Sequence, residues 1–284
     1  MIKLRDHPDD LAALVSRTSE ATGIPAAFVD KDFWVVELLR SVSAPLDGAL
    51  AVFKGGTSLS KAYELVERFS EDVDILLVAD GASVGQRDRL LKAICERAAH
   101  DLALGADLVF STRGVVRNVR FGYPPTQRDP WIRDGVLLEM GTRGNPDPHE
   151  HRTVRSYVAA HATGVLAIVE AEYEEFAPVT VTVLRPERTL VEKLSLVHHL
   201  ATLDPAAIAA SDKGRHLYDI YRLLGDRSTL AAIGSGHVAG AAADAEAHSA
   251  ANDWDYTPRP AGGLPWAAPL RRRYVSSPVP GGKA

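Results

Sequence analysis

Residues 55 to 75 read GGTSLSKAYELVERFSEDVDI, and the order of parts in that stretch limits what the chain can fold into. Leu50 to Phe53 is a short apolar run that stops at Lys54 and the pair Gly55 and Gly56, as a strand does at a tight turn. Thr57 or Ser58 then supplies the cap for a helix through Leu59, Ala62, Tyr63, Leu65 and Val66. The run Asp72 to Val78 is dense in aliphatic and β-branched residues and reads as a buried strand. Asp72 and Asp74 are two apart, so both carboxylates leave one face of that strand with Cα atoms about 7 Å apart. Like charges that close call for a cation between them, and Mg²⁺, a hard ion that takes carboxylate oxygens and keeps positions for phosphate, suits the pair. The glycines let backbone approach a ligand, and the start of the helix offers N–H groups to an anion. Singly, a glycine pair is a turn, Ser58 a cap and two aspartates a solvated edge. In this order they suit phosphoryl transfer with metal ions clamping the reacting oxygens.

The rest of the chain builds an α+β frame around that segment. The first 45 residues hold two helices separated at Gly23 and Pro25, and residues 86 to 104 return to helical spacing. Ala106 to Phe110, Val115 to Tyr123, Gly135 to Met140 and Val179 to Leu184 are strand candidates, while residues 144 to 151 read as a loop. From Thr189 the pattern is helical, with Leu190, Leu194 and Val197 on one face and Leu217, Ile220, Tyr221 and Leu224 on another. The expected division is a core lobe over 1–180 and a mainly helical lobe over 181–284, ending after Pro258 in a loosely ordered Gly- and Pro-rich tail.

Composition removes several classes. At 284 residues, 46% hydrophobic and 24% charged, the chain is that of an ordinary globular protein and not of a disordered one. One cysteine, Cys95, forms no internal disulfide and reads as a core thiol in a reducing compartment. No apolar run is long enough to span a bilayer and the N-terminus lacks the apolar centre of a signal peptide, so the expected place is the cytoplasm, without membrane contact. The net charge of -5 argues against indiscriminate coating of nucleic acid. Locally the balance reverses: Arg113, Arg117, Arg120, Arg128 and Arg133 face a single acid, Asp129, between residues 111 and 133. That island is either a solvated strand and loop or an RNA contact through Arg113, Arg117 and Arg120. His149, Glu150 and His151, in a Pro-rich loop, lack zinc-site spacing; His198 and His199 are adjacent on a helix and diverge; GSG at 234 to 236 follows no strand.

GGTSLSK followed after a short helix by RFSEDVDI resembles the signature of the AbiEii/AbiGii toxin family of nucleotidyltransferases, which takes in the MenT toxins within the DNA polymerase β superfamily. FVDKDFWVVELL at 28 to 39, LRPERTLVEKL at 184 to 194 and RHLYDIYRLL at 215 to 224 extend the resemblance over about 200 residues. It implies a two-lobed protein, with a polymerase β-like nucleotidyltransferase core on a mixed sheet and a mainly helical C-terminal lobe. It also implies the toxin half of a toxin and antitoxin pair, some members of which transfer nucleotides to the 3′ acceptor end of tRNA. By position, Gly56 and Ser58 would face the triphosphate, Asp72 and Asp74 would bind Mg²⁺, Lys193 would contact phosphate, and Asp219 would be a further site residue. Gly55, Thr57 and Lys61 complete the expected nucleotide contacts. Lys193 could instead pair with Glu192 or Glu187, and Asp219 could belong to an ion-pair ladder with Arg215 and Arg222.

A third metal carboxylate is expected on a neighbouring strand, and Glu139, an isolated acid in the apolar run GVLLEMG, is the candidate, although the family pattern expects aspartate. Its alternative is a salt bridge with Arg117, Arg120 or Arg143. Ser70 precedes Asp72 by two residues and shares its face if the strand extends that far. Some antitoxins of the MenT branch phosphorylate the toxin, which makes Ser70 a regulatory candidate beside its plainer role of capping a turn. The expected activity is NTP-dependent transfer of a nucleotide to RNA, most simply tRNA, blocking aminoacylation and translation, under a cognate antitoxin encoded next to it. The alternatives are transfer to a protein or small-molecule hydroxyl, and a catalytically silent nucleotide-binding partner module.

Overall fold

The helical spacing of the first 45 residues becomes α1 (Pro8–Thr22), stopped by Gly23 in the left-handed region, and α2 (Ala26–Val42), which starts after Pro25. In α2, 14 of 17 residues are buried, so it is a core helix and not an amphipathic surface one. The computed structural model describes residues 2–202, 214–234 and Ala243. After β1 (Leu50–Lys54) the chain turns directly into α3 (Gly55–Lys61), which ends five residues before Val66, then enters β2 (Asp72–Val78). Helix α4 (Val84–Leu102) opens with a complete capping box between Ser83 and Gln86. The strands β3 (Gly105–Thr112), β4 (Val116–Gly122) and β5 (Val136–Gly141) follow. Residues 149 to 151, expected in a loop, begin β6 (His149–Val154), which pairs with β7 (Val179–Leu184), with α5 (Tyr157–Gly164) between them.

The seven strands form one mixed sheet in the order β3-β4-β5-β2-β1-β7-β6. β2 runs antiparallel to β1 and parallel to β5, and β1 runs parallel to β7. Strand alternation divides the sheet into two faces. Val73, Ile75 and Leu77 of β2, Leu138 and Met140 of β5, and Val119 and Phe121 of β4 join Phe33, Val36 and Leu39 of α2 and Leu91, Ile94 and Cys95 of α4 in the main core. Asp72, Asp74 and Glu139 stand on the other face.

The chain divides into two compact units, Met1–Thr189 and Leu190–Ala284. The boundary expected near 180 would cut β7, an interior strand, so the first unit runs on into α6 (Pro186–Thr202). The second unit contains the remainder of α6, then α7 (Gly214–Gly225) and α8 (Arg227–Gly234). On α7 the buried residues are Asp219, Ile220 and Leu223, while Leu217, Tyr221 and Leu224, expected to share a face with Ile220, are exposed. The tail after Pro258, residues 235 and 236 of the GSG stretch and the side chain of His199 lie outside the described residues.

Candidate active site

The pairing of strands assembles a polar row that no single segment contains. Lys54 is the register partner of Asp74, Asp74 of Glu139, and Glu139 of Asn118, so four side chains cross β1, β2, β5 and β4 at one level. Asn118 Nδ2 donates to Glu139 Oε1 at 3.0 Å. This amide and the Asp74 carboxyl stand beside Glu139 where its alternative reading had an arginine salt bridge. All four residues, with Arg143, line a cavity of about 230 Å³. Burial, and next the charge of Glu139, push the Asp74 carboxyl up to about 7 against the opposing pull of Lys54. Asp72, two residues back on the same face, is half-buried.

Gly55, at φ 78°, begins α3, and a β-carbon there would collide with the Asp74 carboxylate. A β-carbon on Gly56 would collide with the Arg68 guanidinium and approach Ser70 Oγ. The glycine pair therefore makes room for an acid and a base of the protein itself. Neither Thr57 nor Ser58 caps α3: the capping position is Lys54, and both hydroxyls turn inward. Thr57 Oγ1 donates to the Asp72 carbonyl and lies 2.8 Å from Ser70 Oγ, and Ser58 Oγ donates to the Gly55 carbonyl at 2.9 Å. Strand β2 starts at Asp72, so Ser70 precedes it and is held at the glycine turn by Thr57. Lys61, expected at the nucleotide, is drawn the other way: its Nζ pairs with Asp32 Oδ1 at 2.6 Å and sits 4.1 Å from the centre of the Tyr157 ring.

The supports of the site come from charges buried in α2. Lys31 Nζ pairs with Glu71, the residue before Asp72, and donates to the Arg133 carbonyl at 2.7 Å. Asp32 holds Lys61 at the end of α3 and accepts the Tyr157 N–H at the start of α5 at 2.7 Å. Lys54, Asn118, Lys31 and Asp32 were not among the expected site residues. Two of them, Lys31 and Asp32, fall in the stretch FVDKDFWVVELL, where charges inside an apolar helix were the available signal.

In the second unit, Lys193 Nζ pairs with Asp219 Oδ2 at 2.9 Å and lies 3.5 Å from His216 Nδ1. The two residues carried over from the resemblance thus meet each other, in place of the expected alternatives of Glu192 or Glu187 for Lys193. Arg222 approaches the Tyr218 hydroxyl. The arginine island separates by strand phase: Arg120 shares the face of Asp74, Arg117 lies on the opposite face against Cys95 of α4, and Arg113 is exposed in the β3–β4 turn. Arg117 is accordingly a core-face residue and not part of a common RNA contact with the other two.

Asp74, its carboxyl raised by burial and by the neighbouring charge of Glu139, makes with Glu139 a donor set that a divalent cation relieves, and Mg²⁺ binds through one or two carboxylates plus water and phosphate. Among the described residues no group of three or more His, Cys, Asp and Glu side chains is arranged as a preformed metal cage. Among the described residues, no helix is long and apolar enough to cross a membrane.

A glycine turn after one strand, paired acids on the next and a third acid beside them, all on one mixed sheet, are the parts expected of a nucleotidyltransferase core. The chain belongs to the nucleotidyl transferase AbiEii toxin family of type IV toxin–antitoxin systems, whose sequence model matches residues 37–267. Among solved structures it is similar to the nucleotidyltransferase toxin MenT4 of Mycobacterium tuberculosis H37Rv, at 20% identity and a TM-score of 0.44. That match covers 68% of this chain and 65% of the other, just under two thirds of its length. No curated protein sequence matches the chain.

Proposed function

We propose that the protein is the toxin of a toxin–antitoxin pair and transfers a nucleotide from an NTP to RNA with Mg²⁺, the 3′ acceptor end of tRNA being the target. The observation that carries the reading is the row of Lys54, Asp74, Glu139 and Asn118 at the glycine turn. In the reaction an acceptor hydroxyl attacks the α-phosphorus, the bond to the β-phosphate oxygen breaks, and pyrophosphate leaves. The hydroxyl proton is lost to the carboxylates of the site. Mg²⁺ held by Asp72, Asp74 and Glu139 would supply positive charge to the phosphate oxygens as charge develops there. Lys54 draws on the Asp74 carboxylate, and Asn118 orients the Glu139 carboxylate. Gly55, Gly56, Thr57 and Ser58 shape the turn that faces the phosphates, and Lys61 anchors the far end of α3. In this reading Lys193 contacts phosphate and Asp219 orients it, with Arg113 and Arg120 meeting RNA. Family membership supports a cognate antitoxin, and Ser70, beside Gly56, is where a phosphate would act on the site.

The test is to incubate purified protein with total RNA and each labelled NTP in turn, with and without Mg²⁺. Label on tRNA with one NTP is the expected result. Label on protein, or on a small-molecule acceptor alone, replaces the RNA reading, and no label with any NTP removes the enzyme reading.

A further inference from the structure

The loop between β4 and β5 displays an indole to solvent. Trp131 is 88% exposed. The loop beneath it is fastened throughout: Thr126 N–H donates to the buried Asp30 Oδ2 at 2.6 Å, Arg133 N–H to Glu71 Oε2 at 3.3 Å, and Arg120 Nη1 to the Asp134 carbonyl at 3.0 Å. Lys31 holds the Arg133 carbonyl, and Asp129 Oδ1 accepts the Trp131 N–H at 2.8 Å. A loop anchored this way fixes the backbone that carries Trp131 and leaves the ring presented to solvent. The guanidinium-bearing side chains of Arg128 and Arg133 are themselves 78% and 65% exposed. Together with Tyr123, Gln127 and Asp134 they line a cavity of about 510 Å³.

We infer that this loop is a platform for a single-stranded base of the nucleic-acid acceptor, with Trp131 stacking on the base and Arg128 and Arg133 meeting its phosphates. An aromatic face beside arginines is the chemistry that holds unpaired bases, because every base offers a π face and every linkage a charge. A protein hot spot needs a broad apolar surround that excludes water, whereas the loop carrying Trp131 sets only Pro130 and Ile132 beside it and is otherwise polar at Gln127, Arg128, Asp129 and Arg133. Each guanidinium has one acid at 3.9 Å, Asp134 for Arg128 and Glu71 for Arg133, while both arginines stay largely exposed, so a phosphate reaches them by displacing a long surface ion pair of little worth. Asp129 accepts the Trp131 N–H. The platform is also at the right end of the sheet. Asp72 pairs with Leu137 in parallel strands and Lys54 with Asp74 in antiparallel ones, so the loop before Val136, the start of β2 and the glycine turn leave the sheet together. The inference rests on the nucleotidyl-transfer reading for its choice of a nucleic-acid acceptor.

The experiment uses the full chain carrying Asp74→Asn, so that binding is read apart from transfer. Affinity for a fluorescein-labelled single-stranded RNA 12-mer is measured by anisotropy at several salt concentrations, with thermal melts confirming that each variant is folded. Adding Trp131→Ala should weaken binding about tenfold with little change in salt slope, and Trp131→Phe should restore most of it. Arg128→Ala with Arg133→Ala should flatten the salt slope. Equal affinity with and without the indole, or no RNA binding by the Asp74→Asn parent, overturns the platform. So does a Trp131→Ala protein that keeps RNA affinity but loses binding to its neighbouring gene product. If the oligonucleotide binds through Trp131 while the unmodified enzyme labels no RNA, the transfer reading fails and the platform stands.

Discussion

The Asp74 carboxylate lies against the α-carbon of Gly55, in the volume that a side chain there would occupy. The glycine is also in the left-handed region at φ 78°. Gly55→Ala therefore meets two penalties, backbone strain of about 1–3 kcal/mol and a clash that displaces the acid. The expected outcome is a folded protein with a lowered melting temperature and nucleotide transfer reduced at least a hundredfold, read by melting and by label incorporation. Wild-type transfer by this variant would mean that the position of Asp74 is not critical.

Asp72→Asn and Asp74→Asn should each abolish transfer while folding is preserved, since each removes a ligand charge and keeps its shape. Glu139→Gln should behave similarly, because Glu139 stands beside Asp74 and is oriented by Asn118. Asn118→Ala should leave a smaller defect. A Glu139→Gln enzyme that labels its acceptor at the wild-type rate would remove Glu139 from the ligand set.

Lys193 and Asp219 form a pair whose carboxylate is fully buried. Lys193→Met removes the cation 2.9 Å from that buried carboxylate and should cost roughly 3–5 kcal/mol, whereas Lys193→Met with Asp219→Leu should recover part of it. Urea denaturation of the two single variants and the double variant measures the coupling. Lys193→Arg then separates folding from chemistry: retained stability with lost transfer marks direct contact with substrate.

Glu37 in α2 is buried next to Arg40 at 3.1 Å and Arg5 at 3.5 Å, with Glu174 and Glu175 completing the cluster. Burial, partly offset by Arg40, pushes its carboxyl from an ordinary 4.5 to about 7. The folded chain thus holds this proton more tightly than the unfolded one. The associated stability is complete below about pH 4.5 and is lost as pH rises to about 7, an effect on the order of 3 kcal/mol. Relative to Glu37→Gln, which does not titrate, wild type should lose stability between pH 5 and pH 8. A stability gap that is constant across that range would show that the proton does not matter.

The strand of Asp72 and Asp74 was legible because a period of two needs only local sequence. Glu139 was legible as an acid stranded in an apolar run, and the register of β5 against β2 then set it beside Asp74. Lys54 and Asn118 were not legible, since only pairing between distant strands puts them in the row. Lys61 looked like a nucleotide ligand because its partner Asp32 lies in another helix. The arginine island was a count of charges without their phase, and phase separates Arg117 from Arg120. Residues 149 to 151 look like a loop in the sequence because an edge strand can be that polar.

Strand β3 is exposed along its whole length and carries Leu108, Val109 and Phe110 at 53–55% exposure. Such an edge is a template on which other chains can assemble. Leu108 pairs with Val119 and Phe110 with Asn118, which leaves Val109 as one residue too many, a bulge that interrupts the ladder. A bulge bends an edge strand away from the flat form that such pairing needs. Deleting Val109 would give β3 an unbroken ladder to β4 without altering the pairs on either side, and the protein would become more prone to form insoluble assemblies as its concentration rises.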